Sequence, residues 1–206
     1  MHLLTLSLYV IRHPIDSFRL ITKEREKFSF FPAIILLVLM VLVRLLNIQW
    51  MHFPLQQRDP NTADWMLEMA LLLVPVLSVA VCTFAITSIL DGQMMMREAL
   101  TSIAYVMMPY IVFTLPLTLL SHLLGQGDQI FAFLQMAIYV WCLVLYIISV
   151  YVMNDYTFAK TLLVILLSIL LMALMWAMCL LVLALWNQLK EFVISFVREL
   201  RYTLSR

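Results

Sequence analysis

Two charged residues stand inside long apolar runs, and they are the first place to look for chemistry. Arg44 lies six residues before Trp50, and Glu68 lies three residues after Trp65. An ionisable side chain in hydrocarbon is expensive, so it is paired, solvated or part of a conducting route. Antiparallel helices joined by residues 51–64 would put both charges in one leaflet, roughly 5–9 Å below the interface at about 1.5 Å per residue. Three readings follow. Arg44 and Glu68 pair, which lowers the desolvation cost of each. Or Arg44 snorkels while Glu68 reaches the headgroups. Or both line a substrate or ion pathway. A single pair makes a poor relay, and no apolar run carries the Asp/Glu/His chain of a proton-coupled carrier.

Other reactive constellations are missing. The sequence has no HExxH helix and no P-loop, and no GxSxG elbow. His2, His13, His52 and His122 do not fall at metal-ligand spacings. Cys82, Cys142 and Cys179 sit singly in three different apolar runs, as small buried residues do. They suggest neither a disulfide framework nor a zinc site. No catalytic residue, metal or cofactor is therefore expected, and the chain reads as a non-enzymatic protein with no nucleic-acid partner.

The elements that would position Arg44 and Glu68 dominate the chain. Of 206 residues 65% are hydrophobic and only 12% charged, with a mean hydropathy of +1.01. A soluble domain carries about twice that share of charge, so the chain is built for a bilayer. Five runs, Ser29–Trp50, Trp65–Leu90, Leu100–Leu124, Ile130–Val152 and Thr161–Trp186, are 22, 26, 25, 23 and 26 residues long. Each meets the requirement of about 20 apolar residues for a span. Backbone groups in lipid must be satisfied within the segment, so each run is a helix. Of 25 charges only Arg44 and Glu68 lie inside them. Pro109 and Pro116 interrupt the third run, which a membrane helix tolerates as a kink. The three glycines, Gly92, Gly125 and Gly127, all lie in connections, so no GxxxG face exists and helix contacts fall to Ala, Ser and Thr.

Both ends read as amphipathic. MHLLTLSLYVI has no positive region before it and no cleavage site after it, and is read as a short interfacial helix rather than a signal peptide. Pro14 then opens a second helix with Ile15, Phe18 and Ile21 along one side and Arg19, Lys23, Arg25 and Lys27 giving it basic character. At the other end Leu189, Phe192, Val193, Phe196, Val197 and Leu200 form a stripe at helical spacing. That stripe coats the bilayer or docks a partner, with Phe192 and Phe196 as the docking face. The expected fold class is an all-α polytopic membrane protein, with five transmembrane helices and amphipathic interfacial helices at both ends. It divides into a lead-in at 1–28, a five-helix domain at 29–186 and a C-terminal helix at 187–206. With the N-terminus inside, 7 Lys and Arg face inward and 5 outward, a narrow preference under the positive-inside rule.

From Asp91-Gly92, a turn pair, the run DGQMMMREALTSIAYVMMPYI resembles the hallmark segment of the Yip domain, the Ypt/Rab-interacting protein membrane family. Three further stretches are similar to a bacterial branch: HPIDSFRLITKERE, NDYTFAKTLL and LWNQLKEFVISFVRELRY. The likeness runs from His13 to Tyr202. It implies a five-helix membrane domain with a cytoplasmic N-terminus in the cell membrane, and marks Asp91 and Gly92 as a loop motif. It also implies an accessory or scaffold role, by association beside sugar transporters of the ATP-binding-cassette type. Eukaryotic members carry a DLYGP motif and work with small GTPases. That motif is absent here, so GTPase binding is not carried over. The expected partners are the lipid bilayer and a protein partner or second copy. The alternative function is a small carrier or channel using Arg44, Glu68 and the kinked third helix.

Overall fold

A computed structural model describes residues 9–23, 31–51, 64–122 and 129–204. Every regular element among them is a helix. A helical turn at 9–12 precedes α1 (Pro14–Lys23), followed by α2 (Phe31–Trp50), α3 (Trp65–Ile89), α4 (Met96–Val106), α5 (Met108–Leu120), α6 (Gln129–Met153) and α7 (Phe158–Leu204). Five stretches are long and apolar enough to cross a membrane, α4 and α5 together forming the third. The chain is an all-α, multi-pass membrane protein. Leu4, Leu6, Leu8, Gly125 and Gly127 lie outside the described residues, as do Arg25 and Lys27.

The local chemistry explains the boundaries. Asp64 caps α3, its carboxylate accepting from the Met66 N–H at 3.0 Å. Glu98 reaches back to the Met95 N–H at 2.8 Å and opens α4. The third span breaks at one residue, Met107, which ends α4 and starts α5. Pro109 explains the break: it has no N–H to donate to Tyr105, and its ring collides with that carbonyl in a continuous helix. Pro75 is accommodated inside α3, where the Ser78 hydroxyl donates to the Pro75 carbonyl at 3.0 Å.

The chain resolves into two compact units, Met1–Ser168 and Ile169–Arg206. In the first, α5 packs on α6 and α2, α4 packs on α3, α2 and α6, and α1 packs on α6 and α4. The core gathers Phe18, Met40, Tyr105, Val106 and Leu145. Ala33, Ala80, Ala99 and Ala104 are buried in the same cluster, giving the close helix approach that glycine would otherwise provide. The buried side of α1 is Ser17, Phe18 and Ile21, so two residues of the lead-in's apolar stripe join this core while Ile15 stays exposed. Residues 158–168 of α7 contribute Val164, which packs with Val150 and Tyr156. The second unit is helical from 169 to 204, and Leu170, Leu174, Met178, Leu181 and Trp186 are all exposed along it. Trp186 and Lys190 stack, the ammonium 5.6 Å from the ring centre. The helix has no break at Trp186, where the sequence pattern divides span from tail.

Successive spans alternate direction, so the turns at Gln93 and Thr157 share one end of the first unit and Asp64 lies at the other. In a cysteine-free background, Gln93→Cys and Thr157→Cys should label from the same side of sealed vesicles, and Asp64→Cys from the opposite side. Labelling of Gln93→Cys and Asp64→Cys from one side would contradict the alternation.

Candidate functional site

At the Asp64 end, the structure brings the two intramembrane charges together. Arg44 Nη2 donates to Glu68 Oε2 at 3.1 Å, with Glu68 almost wholly buried and Arg44 28% exposed. Glu68 lies in the first turn of α3, where the positive end of the helix dipole favours a carboxylate. Tyr110 lines the same small cavity as Arg44. One turn further along α2, Asn47 Nδ2 donates to Thr118 Oγ1 at 2.6 Å, and Thr118 donates to the Thr114 carbonyl at 2.8 Å. The Trp50 carbonyl and His122 Nε2 lie 2.8 Å apart. The polar cavity bounded by Arg44, Asn47, Tyr110, Gln135 and Tyr139 has a volume of about 10 Å³, the size of roughly one water. The arrangement cross-links α2, α3 and α5. Sequence reasoning missed Asn47, Thr118 and Tyr110. The available signal was Asn47, one turn from Arg44 in an otherwise apolar run.

At the Gly92 end, two helix ends meet. Helix α3 closes with the Gly92 N–H donating to the Thr87 carbonyl at 2.7 Å, and α6 closes with the Tyr156 N–H donating to the Tyr151 carbonyl at 3.2 Å. Each is the six-to-one bond of a Schellman end. Each needs a left-handed residue one position earlier, and both times it is an aspartate: Asp91 at φ 56° and Asp155 at φ 51°. Aspartate tolerates that region better than most residues. Glycine is needed at the next position for space. A Cβ on residue 92 would fall 2.5 Å from Asn154 Oδ1, 2.6 Å from the Tyr156 hydroxyl and 2.8 Å from Thr87 Cβ.

The gap that Gly92 leaves is filled by the second turn. The Met94 N–H donates to Asn154 Oδ1 at 3.3 Å, and Asn154 Nδ2 donates to the Val150 carbonyl at 3.1 Å. The Tyr156 hydroxyl donates to the Leu90 carbonyl at 3.0 Å, a group that α3 leaves unsatisfied at its end. Lys160 lies over the Tyr156 ring at 4.2 Å. Burial, and after it the Asp91 carboxylate, raises the Tyr156 phenol above its ordinary pKa. The hydroxyl therefore stays protonated and donating through neutral pH.

Gly92, Asn154 and Tyr156 thus form one clamp, built from the DGQ and NDY stretches. A family model of the Yip1 domain matches residues 8–187. The chain belongs to the Yip1 domain family. Comparisons with curated proteins and with solved structures give no significant match. The match takes in both turns of the clamp and the Arg44–Glu68 pair, so both features lie within the Yip1 domain. Phe192 lies beyond the match and is exposed. The Phe196 side chain lies outside the described residues. Among the described residues no group of three or more His, Cys, Asp or Glu is placed to hold a metal ion.

Three variants test these contacts. Gly92→Ala forces Asn154 and Tyr156 apart and should cost about 1–3 kcal/mol in a detergent unfolding assay. Combined with Asn154→Ala, the loss should be less than additive, because the second change removes one of the clashing atoms. Arg44→Leu and Glu68→Leu should each lower stability, and the double variant should recover part of the loss; additive losses would show that the pair carries no coupling. For Tyr156, the unfolded phenol releases its proton at lower pH than the folded one. The stabilisation is therefore whole below about pH 10 and is lost as pH rises through the folded value. Tyr156→Phe should be less stable than the parent at pH 8, with the gap narrowing in strongly alkaline buffer.

Proposed function

We propose that this Yip1 domain protein is a non-enzymatic scaffold or accessory subunit of a membrane assembly, and that its N-terminus faces the cytoplasm from the cell membrane. The observation that carries the scaffold reading is the exposed apolar surface of the second unit. Leu170, Leu174, Met178 and Leu181 stand open along its helix, and Leu189, Phe192 and Val193 continue the exposure beyond Trp186. The helix of this unit, residues 169–204, is about 54 Å long, against a hydrocarbon core of about 30 Å. Part of that apolar surface therefore extends past the lipid chains, where a partner's side chains or the headgroup region must cover it. The clamp at Gly92 supports the same reading, since it ties two turns of the first unit together.

Transport by way of Arg44, Glu68 and the broken third span is the second reading. The favouring observation is the cluster of Arg44, Asn47, Tyr110, Gln135 and Tyr139 in one place; the one-water volume it encloses weighs against it. A transporter of the ATP-binding-cassette type is the assembly suggested by the resemblance of the sequence to its bacterial relatives.

Purification of the tagged full chain from native membranes in mild detergent tests the scaffold role. A defined protein should co-purify, and Phe192→Leu with Phe196→Leu should weaken its binding by about 2 kcal/mol or more if these rings are hot-spot anchors. Undiminished recovery would leave the tail as a surface anchor. Flux of small solutes in liposomes that Arg44→Leu abolishes would replace the scaffold reading with the carrier.

A further inference from the structure

Three helices build the polar cavity beside Arg44, and the groups around it decide what it can hold. Arg44 and Asn47 come from α2, Tyr110 and Thr114 from α5, and Gln135 and Tyr139 from α6. All three helices belong to membrane spans. The Tyr110 and Tyr139 rings stack with their centres 6.3 Å apart. Tyr110 is 5% exposed, Thr114 7% and Asn47 9%, so half of these polar side chains are more than nine-tenths buried.

Their hydrogen-bonding capacity exceeds the bonds they make to each other. Arg44 has five N–H groups, and the bond to Glu68 occupies one of them. Asn47 gives one N–H to Thr118 and also carries a carbonyl acceptor, while the three hydroxyls can each donate and accept. Burying such capacity unused is costly. Size narrows what can use it: about 10 Å³ admits one water and no larger solute. Charge narrows it to the same answer. Arg44 and Glu68 neutralise each other, so a bound anion or cation would leave a net charge in hydrocarbon. A buried water is neutral and makes about two to four hydrogen bonds, fewer than the six polar side chains along this lining supply.

We propose that this cavity is a binding site for one resident water, shared by α2, α5 and α6 and hydrating the Arg44 guanidinium within the membrane. The water extends the Arg44–Glu68 pair into a network that reaches α6. It also stands alone, so it solvates the charge without opening a route across the bilayer. The site is independent of the scaffold reading and holds whether or not a partner is found.

The test is X-ray radiolytic footprinting of the full chain in liposomes, in which water split beside a side chain adds oxygen to it and mass spectrometry locates the addition. Tyr110 should be modified at least fivefold faster than Trp141, although Trp141 is 45% exposed at the middle of α6, where the surroundings are lipid. Thr114→Ile fills the cavity and should lower the Tyr110 rate at least fivefold. Circular dichroism checks the fold, and Gln135→Leu, which removes one polar wall, replaces Thr114→Ile if the latter misfolds. Equal rates at Tyr110 and Trp141 would overturn the site, as would an undiminished Tyr110 rate in the folded variant. Modification of Tyr146 at the rate of Tyr110 would show water continuing along α6, and would overturn the single resident water in favour of a conduit.

Discussion

The missing side chain at residue 92 governs one whole end of the helical bundle. With hydrogen alone at that position, Asn154 and the Tyr156 hydroxyl come close enough to the α3 end to bond the Met94 N–H and the Leu90 carbonyl. Those bonds satisfy backbone groups that two helix ends would leave open, and they tie the α3–α4 turn to the α6–α7 turn. The direction in which the chain leaves both turns then follows. Met94 leads into α4, which carries Tyr105, the largest fully buried side chain among the described residues. Displacing the clamp would shift α4 relative to α2 and α6, both of which it packs against.

Between the two ends, polar pairs replace the driving force that water would supply. Lipid tails solvate leucine as well as another helix does, so association within the bilayer rests on packing and interhelical hydrogen bonds. The pairs are regularly distributed. Asn47 meets Thr118, Arg44 meets Glu68, Thr83 and Tyr146 lie 2.6 Å apart, and Ser102 donates to Ser149 at 3.3 Å. Each joins a different pair of helices. A bond of this type contributes about 0.6–2 kcal/mol, so no single pair fixes the bundle, but together they specify its register. The lipid-facing surfaces, by contrast, are large aliphatic residues whose exact shape matters little.

Much of the fold was legible because hydrocarbon imposes a simple rule on sequence. The first, second and fourth spans can be read to within two residues, since charge marks their ends. The third was harder: it begins at Met96, before the expected Leu100, because Arg97 and Glu98 sit in its first turn, where Glu98 serves as a cap. The break at Met107 was signalled by Pro109, but its single-residue width is a packing result. The length of the last helix was not legible, because the charges from Lys190 onward do not stop a helix whose backbone bonds are all internal. For the sites, Arg44 and Glu68 stood out as charges in apolar runs. Asn154 and Tyr156 did not, because a polar residue in a connection is ordinary until its partner is known. Their significance lies in the distance to Gly92, 62 and 64 positions away in sequence.

The interruption at Met107 has a consequence for how the chain enters a membrane during synthesis. Helices α4 and α5 have 11 and 13 residues, or about 16 and 20 Å, and neither alone crosses a core of about 30 Å. The first half also carries Arg97 and Glu98, and buried Thr101 and Ser102, which lowers its own tendency to partition into lipid. The flanking spans α3 and α6 are more apolar than the third, with mean hydropathies of 2.6 and 2.2 against 1.9. In the folded unit the polar half of the third span is covered by α2, α3 and α6. The cover over that half is therefore complete only once α6 has been made.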